Sequence, residues 1–254
     1  MNRVFISIGS INIYWYSIFI IIAIILGYIL TIKEAKRQNI SQKIIENLLF
    51  YMIIVAIIGA RIYYVIFNLK EFNSLTDILA IYNGGLAIYG GIIASIIFIY
   101  FYSKKHKINF LQILNLLAPA LILGQAIGRW GNFFNQEAYG SIVTYEYLNN
   151  LHIPKFIINS MYIDGSYHHP TFLYESILCF LGFIILIILR KKKSQNITFI
   201  YLIYYGIIRF FIEGLRTDSL YLFNFRISQI VSILFILIGI SGIIYNNFRR
   251  QKNG

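Results

Sequence analysis

Charge is scarce in this sequence. Only 13% of its 254 residues are Asp, Glu, Lys or Arg, whereas 58% are hydrophobic; soluble domains carry about 25% charged and about 45–50% apolar residues. A water-soluble fold of this size cannot hide so much apolar surface, and lipid removes the difficulty. Cysteine is almost absent as well. Cys179 alone excludes an internal disulfide and any multi-cysteine site, and its place in the apolar run 176–189 reads as a small buried hydrophobe. No His/Cys/Asp ligand cluster implies a metal, and no organic cofactor is implied. Residues 1–10 hold one Arg and no small-residue processing site, so the first span is expected to act as its own insertion signal. No internal repeat or low-complexity linker interrupts the chain, and a single membrane domain over 1–254 is expected.

What is present is a series of apolar runs. A helix needs about 20 mostly apolar residues to cross a bilayer. The pattern predicts an all-α, polytopic membrane protein with about seven spans, at 11–32, 45–67, 86–102, 110–127, 171–189, 198–213 and 227–245. The net charge of +12 is of a size that attracts nucleic acid, but the basic residues sit in short loops between apolar runs. Fourteen of them (Lys33, Lys36, Arg37, Lys43, Lys104, Lys105, Lys107, Arg190 to Lys193, Arg249, Arg250 and Lys252) fall on one side. Five (Arg3, Lys70, Lys155, Arg216 and Arg226) fall on the other. That asymmetry puts the N-terminus outside and the C-terminus in the cytoplasm. The connection 130–170 is then extracytoplasmic, and at about 40 residues it far exceeds the usual 2–8 of a helix–helix link. Its tyrosines and isoleucines predict a folded segment.

Polar residues converge on the outer ends of these spans. Tyr16 opens the first, Arg61 closes the second, and Gly84-Gly85 with Tyr89-Gly90-Gly91 begin the third. Arg129 ends the fourth, His169, Tyr174 and Glu175 begin the fifth, and Tyr205, Arg209 and Glu213 share one face of the sixth at i, i+4 and i+8. Arg61 is read equally well as a snorkelling side chain, and the glycine pairs as close helix packing. Arg129 and Arg209 are harder to explain away. An intramembrane charge costs about 2.5–17 kcal/mol depending on method, and it normally faces a partner or a cavity. Arginine is the preferred side chain for phosphate oxygens, so a phospholipid headgroup is the natural ligand at this depth.

The segment Gly128-Arg129-Trp130-Gly131-Asn132-Phe133-Phe134-Asn135-Gln136-Glu137, continuing to Gly140, closely resembles the signature of bacterial prolipoprotein diacylglyceryl transferases. Further matches are Trp15-Tyr16, Gly59-Ala60-Arg61, Gly84-Gly85 with Gly90-Gly91, His169-Pro170, Tyr174-Glu175 and the stretch Tyr205 to Arg216. The resemblance implies transfer of diacylglyceryl from phosphatidylglycerol to the lipobox cysteine of a preprolipoprotein in the bacterial cell membrane, near the outer leaflet. It makes Arg129 and Arg209 the foremost catalytic candidates, with Glu213 and Tyr89. Lipid contacts are then expected from Arg129, Asn132, Asn135, Glu137, Gly140, Tyr16, Arg61, Gly84, Gly85, Gly90, Tyr205 and His169. One departure stands out: many family members carry His where this chain has Tyr89. A phenol, with a pKa of about 10, is a poor base near neutrality, so thiol deprotonation passes to Glu213, His169 or the field of the arginines. The competing classes are a transporter, where buried Arg–Glu pairs mark a route, and a non-catalytic lipid-binding membrane protein.

Overall fold

The computed structural model describes residues 3–9, 11–72, 74–81, 84–192 and 194–253; Asn83 and Lys193 lie outside them. It is a helical membrane protein. In chain order the helices are α1 (Trp15–Arg37), α2 (Gln42–Phe67), α3 (Leu75–Leu79), α4 (Ile88–Lys105), α5 (Phe110–Asn135), α6 (Tyr145–Asn150), α7 (Lys155–Ser160), α8 (Thr171–Lys191), α9 (Ile197–Leu215) and α10 (Ile227–Asn253). Seven of these are long, and six have the length and hydropathy to cross a membrane. The seventh, α4, has 18 residues, begins beside a glycine pair and ends on Lys104 and Lys105. The chain divides into two compact units, one of Met1–Leu30 with Leu117–Gly254 and one of Thr31–Leu116.

Three expected boundaries are corrected. The first span was expected from residue 11, but residues Ile11–Tyr14 form a strand, β2, antiparallel to β1 (Val4–Ile8), and the helix begins only at Trp15. Alternating β-branched residues either side of Gly9 are a hairpin pattern, and Gly9 takes the left-handed φ of +60° that the turn requires. The fourth span runs on from 127 to Asn135. Glycine is common in membrane helices, so Gly128 and Gly131 do not end it; termination waits for positive φ at Gln136 and Ala138. Finally, α10 continues past 245 to Asn253.

In the first unit, the segment between α5 and α8 is folded. It comprises α6, α7 and a three-stranded sheet of β3 (Ile142–Val143), β4 (Tyr162–Ile163) and β5 (Ser166–His168), ordered β3-β5-β4. Leu148, Ile153, Ile157, Ile158 and Met161 close over Phe133 of α5 and Phe172 of α8 in one buried cluster. Burying each such side chain stabilises by about 1.5–3 kcal/mol, so the cap fixes how α5 ends and α8 begins. A second cluster, around Ala118, Ile122, Ala126, Cys179, Leu186, Ile197 and Tyr201, binds α5, α8 and α9 together in the membrane interior. Cys179 is fully buried there, a packing residue as its sequence context predicts. A last hairpin, β6 (Tyr221–Leu222) with β7 (Phe225–Arg226), joins α9 to α10.

Candidate functional site

The extension of α5 sets the spacing of the site. Arg129, Asn132 and Asn135 recur every third residue, which keeps them near one face of the helix. Arg129 donates from Nη1 to Asn132 Oδ1 at 3.2 Å. Asn132 donates to Glu137 Oε1 at 2.9 Å, and Asn135 donates to the same oxygen at 3.4 Å. Four of the expected residues of the signature thus form one hydrogen-bonded chain. Tyr16 joins them from α1: its ring covers Gly131 so closely that a Cβ there would meet Tyr16 Cδ2 at 2.5 Å. Trp15 stacks on Phe134 with ring centroids 4.6 Å apart.

At the centre is Glu175, near the start of α8. Its Oε1 accepts from Arg129 Nη2 at 2.8 Å and from the Tyr205 hydroxyl at 3.3 Å, and its Oε2 accepts from Arg209 Nη1 at 3.3 Å. Arg209 Nη2 also lies 2.6 Å from Glu213 Oε2. Two arginines therefore face two carboxylates, and the charges cancel. Access is unequal, however. The arginine side chains keep 19% and 16% of their surface open, the glutamates 1% and 2%. The arginines are the less buried half of the network.

In the sequence Glu175 stands out only as a polar residue at a span end, and nothing there places it in the site. It is 46 residues from Arg129, and no sequence spacing says which helices meet. The available signal was an acidic residue four places into an otherwise apolar span, which requires a buried cation. Further supports are Trp130, whose indole N–H donates to Ser176 Oγ at 3.1 Å, and Gln229, whose amide donates to the Phe210 carbonyl at 3.2 Å. Arg226 caps the end of α9 by donating to the Glu213 carbonyl.

Gly140 and His169 form a backbone seam. The Gly140 N–H donates to the His169 carbonyl at 3.0 Å, its carbonyl lies 2.9 Å from His168 Nδ1, and it bridges to Arg216. A Cβ on Gly140 would come within 2.6 Å of His169 Cβ and 2.9 Å of the Leu215 carbonyl. Burial holds the His169 imidazole below its ordinary pKa, hence neutral near pH 7. Arg216 is held in turn by a bidentate pair with Asp218, at 2.8 and 2.7 Å. Burial alone would raise the Asp218 carboxyl; the hydrogen bonds and charge of Arg216 outweigh it and hold the group below its usual range.

The remaining expected residues belong to the second unit. Arg61 is buried, and its five N–H groups go to backbone carbonyls: Nε to Ile78 at 2.8 Å, Nη1 to Gly84 and Gly85 at 2.8 and 3.0 Å, and Nη2 to Asp77 and Ala80 at 2.6 and 3.5 Å. None is left for a phosphate. Gly84 and Gly85 take φ of +87° and +73°, and a Cβ on Gly85 would meet Arg61 Nη1 at 2.5 Å, so the pair serves the loop that Arg61 clamps. Gly90 is buried where α4 crosses α2, against the Gly59 carbonyl and Tyr63. Packing is its role. Tyr89, in the first turn of α4, is half-buried.

The model of the family described as prolipoprotein diacylglyceryl transferase matches residues 3–245. The chain belongs to this family. Among its relatives is a phosphatidylglycerol–prolipoprotein diacylglyceryl transferase of Listeria monocytogenes serotype 4b, 47% identical over 255 residues, which span 99% of this chain and 91% of that protein. The similarly named protein of Clostridium novyi is 47% identical over 99% of this chain and 98% of its own length. That of Halalkalibacterium halodurans is 45% identical over 93% and 83%. Membership over nearly the full length covers both units, so the Glu175 network and the Arg61 clamp lie in the region shared with the family.

Proposed function

We propose that the chain transfers the diacylglyceryl group of phosphatidylglycerol to the lipobox cysteine of a preprolipoprotein, releasing glycerol phosphate. The observation that carries this reading is the pair of partly exposed arginines, Arg129 and Arg209, held on opposite oxygens of buried Glu175. The substrate thiolate attacks the lipid glycerol carbon. A carbon–sulfur bond forms as the carbon–oxygen bond to phosphate breaks, and the electron pair leaves with the phosphate. Charge grows on that phosphate in the transition state, and donors already oriented stabilise it without reorganising. Glu175 supplies the orientation: its carboxylate holds both forks, and Tyr205 holds the carboxylate. The nucleophile arrives with the peptide, which is why the protein's own Cys179 is a packing residue.

The thiol proton, from a group with a pKa of about 8.5, needs an acceptor. Glu213, ion-paired with Arg209, and the neutral imidazole of His169 are our candidates. The basic loops support an orientation with the N-terminus outside and the site near the outer leaflet of the bacterial cytoplasmic membrane. The deciding experiment presents the protein in proteoliposomes with phosphatidylglycerol and a lipobox peptide. A gain of one diacylglyceryl mass on the peptide cysteine is expected; lipid binding with no gain would leave a lipid-binding protein without catalysis.

A further inference from the structure

Beside the Glu175 network, in the same unit, is a cleft of about 290 Å³ lined by Arg3, Tyr14, Tyr16, Ser17 and Asn135. It has three properties. Arg3 is exposed, and among the described residues its guanidinium has no carboxylate partner. Its backbone is held in place, because the Arg3 carbonyl accepts the Trp15 N–H at 3.2 Å and so ties the hairpin to the first turn of α1. The other four lining residues offer three hydroxyls and one amide. The cleft is also wired to the site: Asn135 and Asn132 both donate to Glu137 Oε1, and Asn132 accepts from Arg129.

We propose that this cleft is a subsite for the glycerol end of a phosphoglycerol group, with Arg3 a further cation for the phosphate that Arg129 and Arg209 stabilise in the transfer step, and the hydroxyls and amide hydrogen-bonding the glycerol. The inference rests on the transfer reading above and deepens it, since it names the part of the protein that selects the headgroup. A lone cation among neutral donors attracts an anionic polyol and repels an ammonium headgroup. The same chemistry is carried by two molecules, the lipid substrate and the released glycerol phosphate. Neither the sequence motif nor the Glu175 network includes Arg3, which the hairpin alone brings to the cleft.

The test uses full-length protein in phosphatidylcholine nanodiscs, without peptide, titrated with phosphatidylglycerol and separately with phosphatidylethanolamine. Arg3→Gln is expected to raise the half-saturating phosphatidylglycerol fraction about tenfold, the loss of one charge-assisted contact, and to shrink the preference over phosphatidylethanolamine. Arg3→Lys should recover part of both. Free glycerol phosphate is the second arm. Displacement of lipid from the wild type but not from Arg3→Gln assigns the cleft to product as well as substrate; no displacement from either assigns it to the lipid alone. Equal affinity and equal headgroup preference in wild type and Arg3→Gln would overturn the subsite. Arg3-dependent binding with no transfer to a lipobox peptide would overturn the transfer reading and leave the subsite in place.

Discussion

Arg129 Nη2 lies 2.8 Å from Glu175 Oε1, and this contact joins the late turns of α5 to the start of α8. The carboxylate is 1% exposed and has a second cation, Arg209, on its other oxygen. Removing one partner from a buried pair costs about 3–5 kcal/mol because the other charge is stranded. Glu175→Gln keeps the volume but leaves Arg129 without a carboxylate and Arg209 with Glu213 alone. We expect a lower thermal midpoint in detergent and a transfer rate at least about 10²-fold down. A Gln variant with wild-type midpoint and rate would show that Glu175 orients nothing.

Arg129→Ala removes a donor aimed at the developing phosphate charge. Loss of one such donor costs about 2.7–4 kcal/mol, or 10²–10³ in rate. Arg129→Lys should stay impaired, because a point charge cannot contact Glu175 and Asn132 as the fork does. Transfer rates per inserted molecule decide it, and near-normal turnover in the Ala variant defeats the phosphate role.

The sequence is informative about where charge is costly and silent about which charges meet. Arg129, Arg209 and Glu213 stand out because each interrupts an apolar run, and the i, i+4 spacing already pairs Arg209 with Glu213. Glu175 interrupts its run equally, but its partners come from two other helices. The same limit applies to Arg61. As a lone arginine at a span end it reads as a phosphate ligand or a snorkelling side chain, and only the loop geometry shows five carbonyls around it. Helix ends failed for local reasons: residues 11–14 satisfy an apolar-run criterion as well as a strand pattern, and the glycines of the signature hide two further turns of α5.

Arg61 yields a prediction opposite to that for Arg129. Each buried carbonyl left without a donor costs about 1–3 kcal/mol, so Arg61→Ala should loosen the loop between α2 and α4. Protease nicking of that loop in proteoliposomes is expected to accelerate by an order of magnitude or more, about the effect of losing 1.4 kcal/mol locally. Gly85→Ala should do the same, through its φ of +73° and the contact with Arg61. If instead nicking is unchanged while the KM for phosphatidylglycerol rises, Arg61 is a lipid ligand after all.

Topology is tested by labelling. Asn149 lies at the exposed end of α6 and Lys105 at the exposed end of α4, while the native Cys179 is fully buried and gives little background. In intact cells a membrane-impermeant thiol reagent should modify Asn149→Cys and spare Lys105→Cys. The reverse pattern would invert the orientation drawn from the basic loops.

Tyr89 occupies the position where many of the family carry His, and its role turns on the difference between positioning and proton transfer. A phenol with a reference pKa of about 10 is almost wholly protonated at pH 7, so it donates a hydrogen bond far more readily than it accepts a proton. Tyr89→Phe should therefore lose only a modest factor, that of one hydrogen bond worth about 0.5–1.5 kcal/mol. Tyr89→His should remain active, since its ring also hydrogen-bonds. The measurement is the transfer rate to a lipobox peptide for all three proteins across about pH 6–10, the interval separating His from Tyr titration. A positioning hydroxyl leaves the wild-type and Phe profiles parallel. A base role would make the wild-type rate climb as the phenol ionises and leave the Phe variant nearly inactive at every pH, with normal protein levels in the membrane.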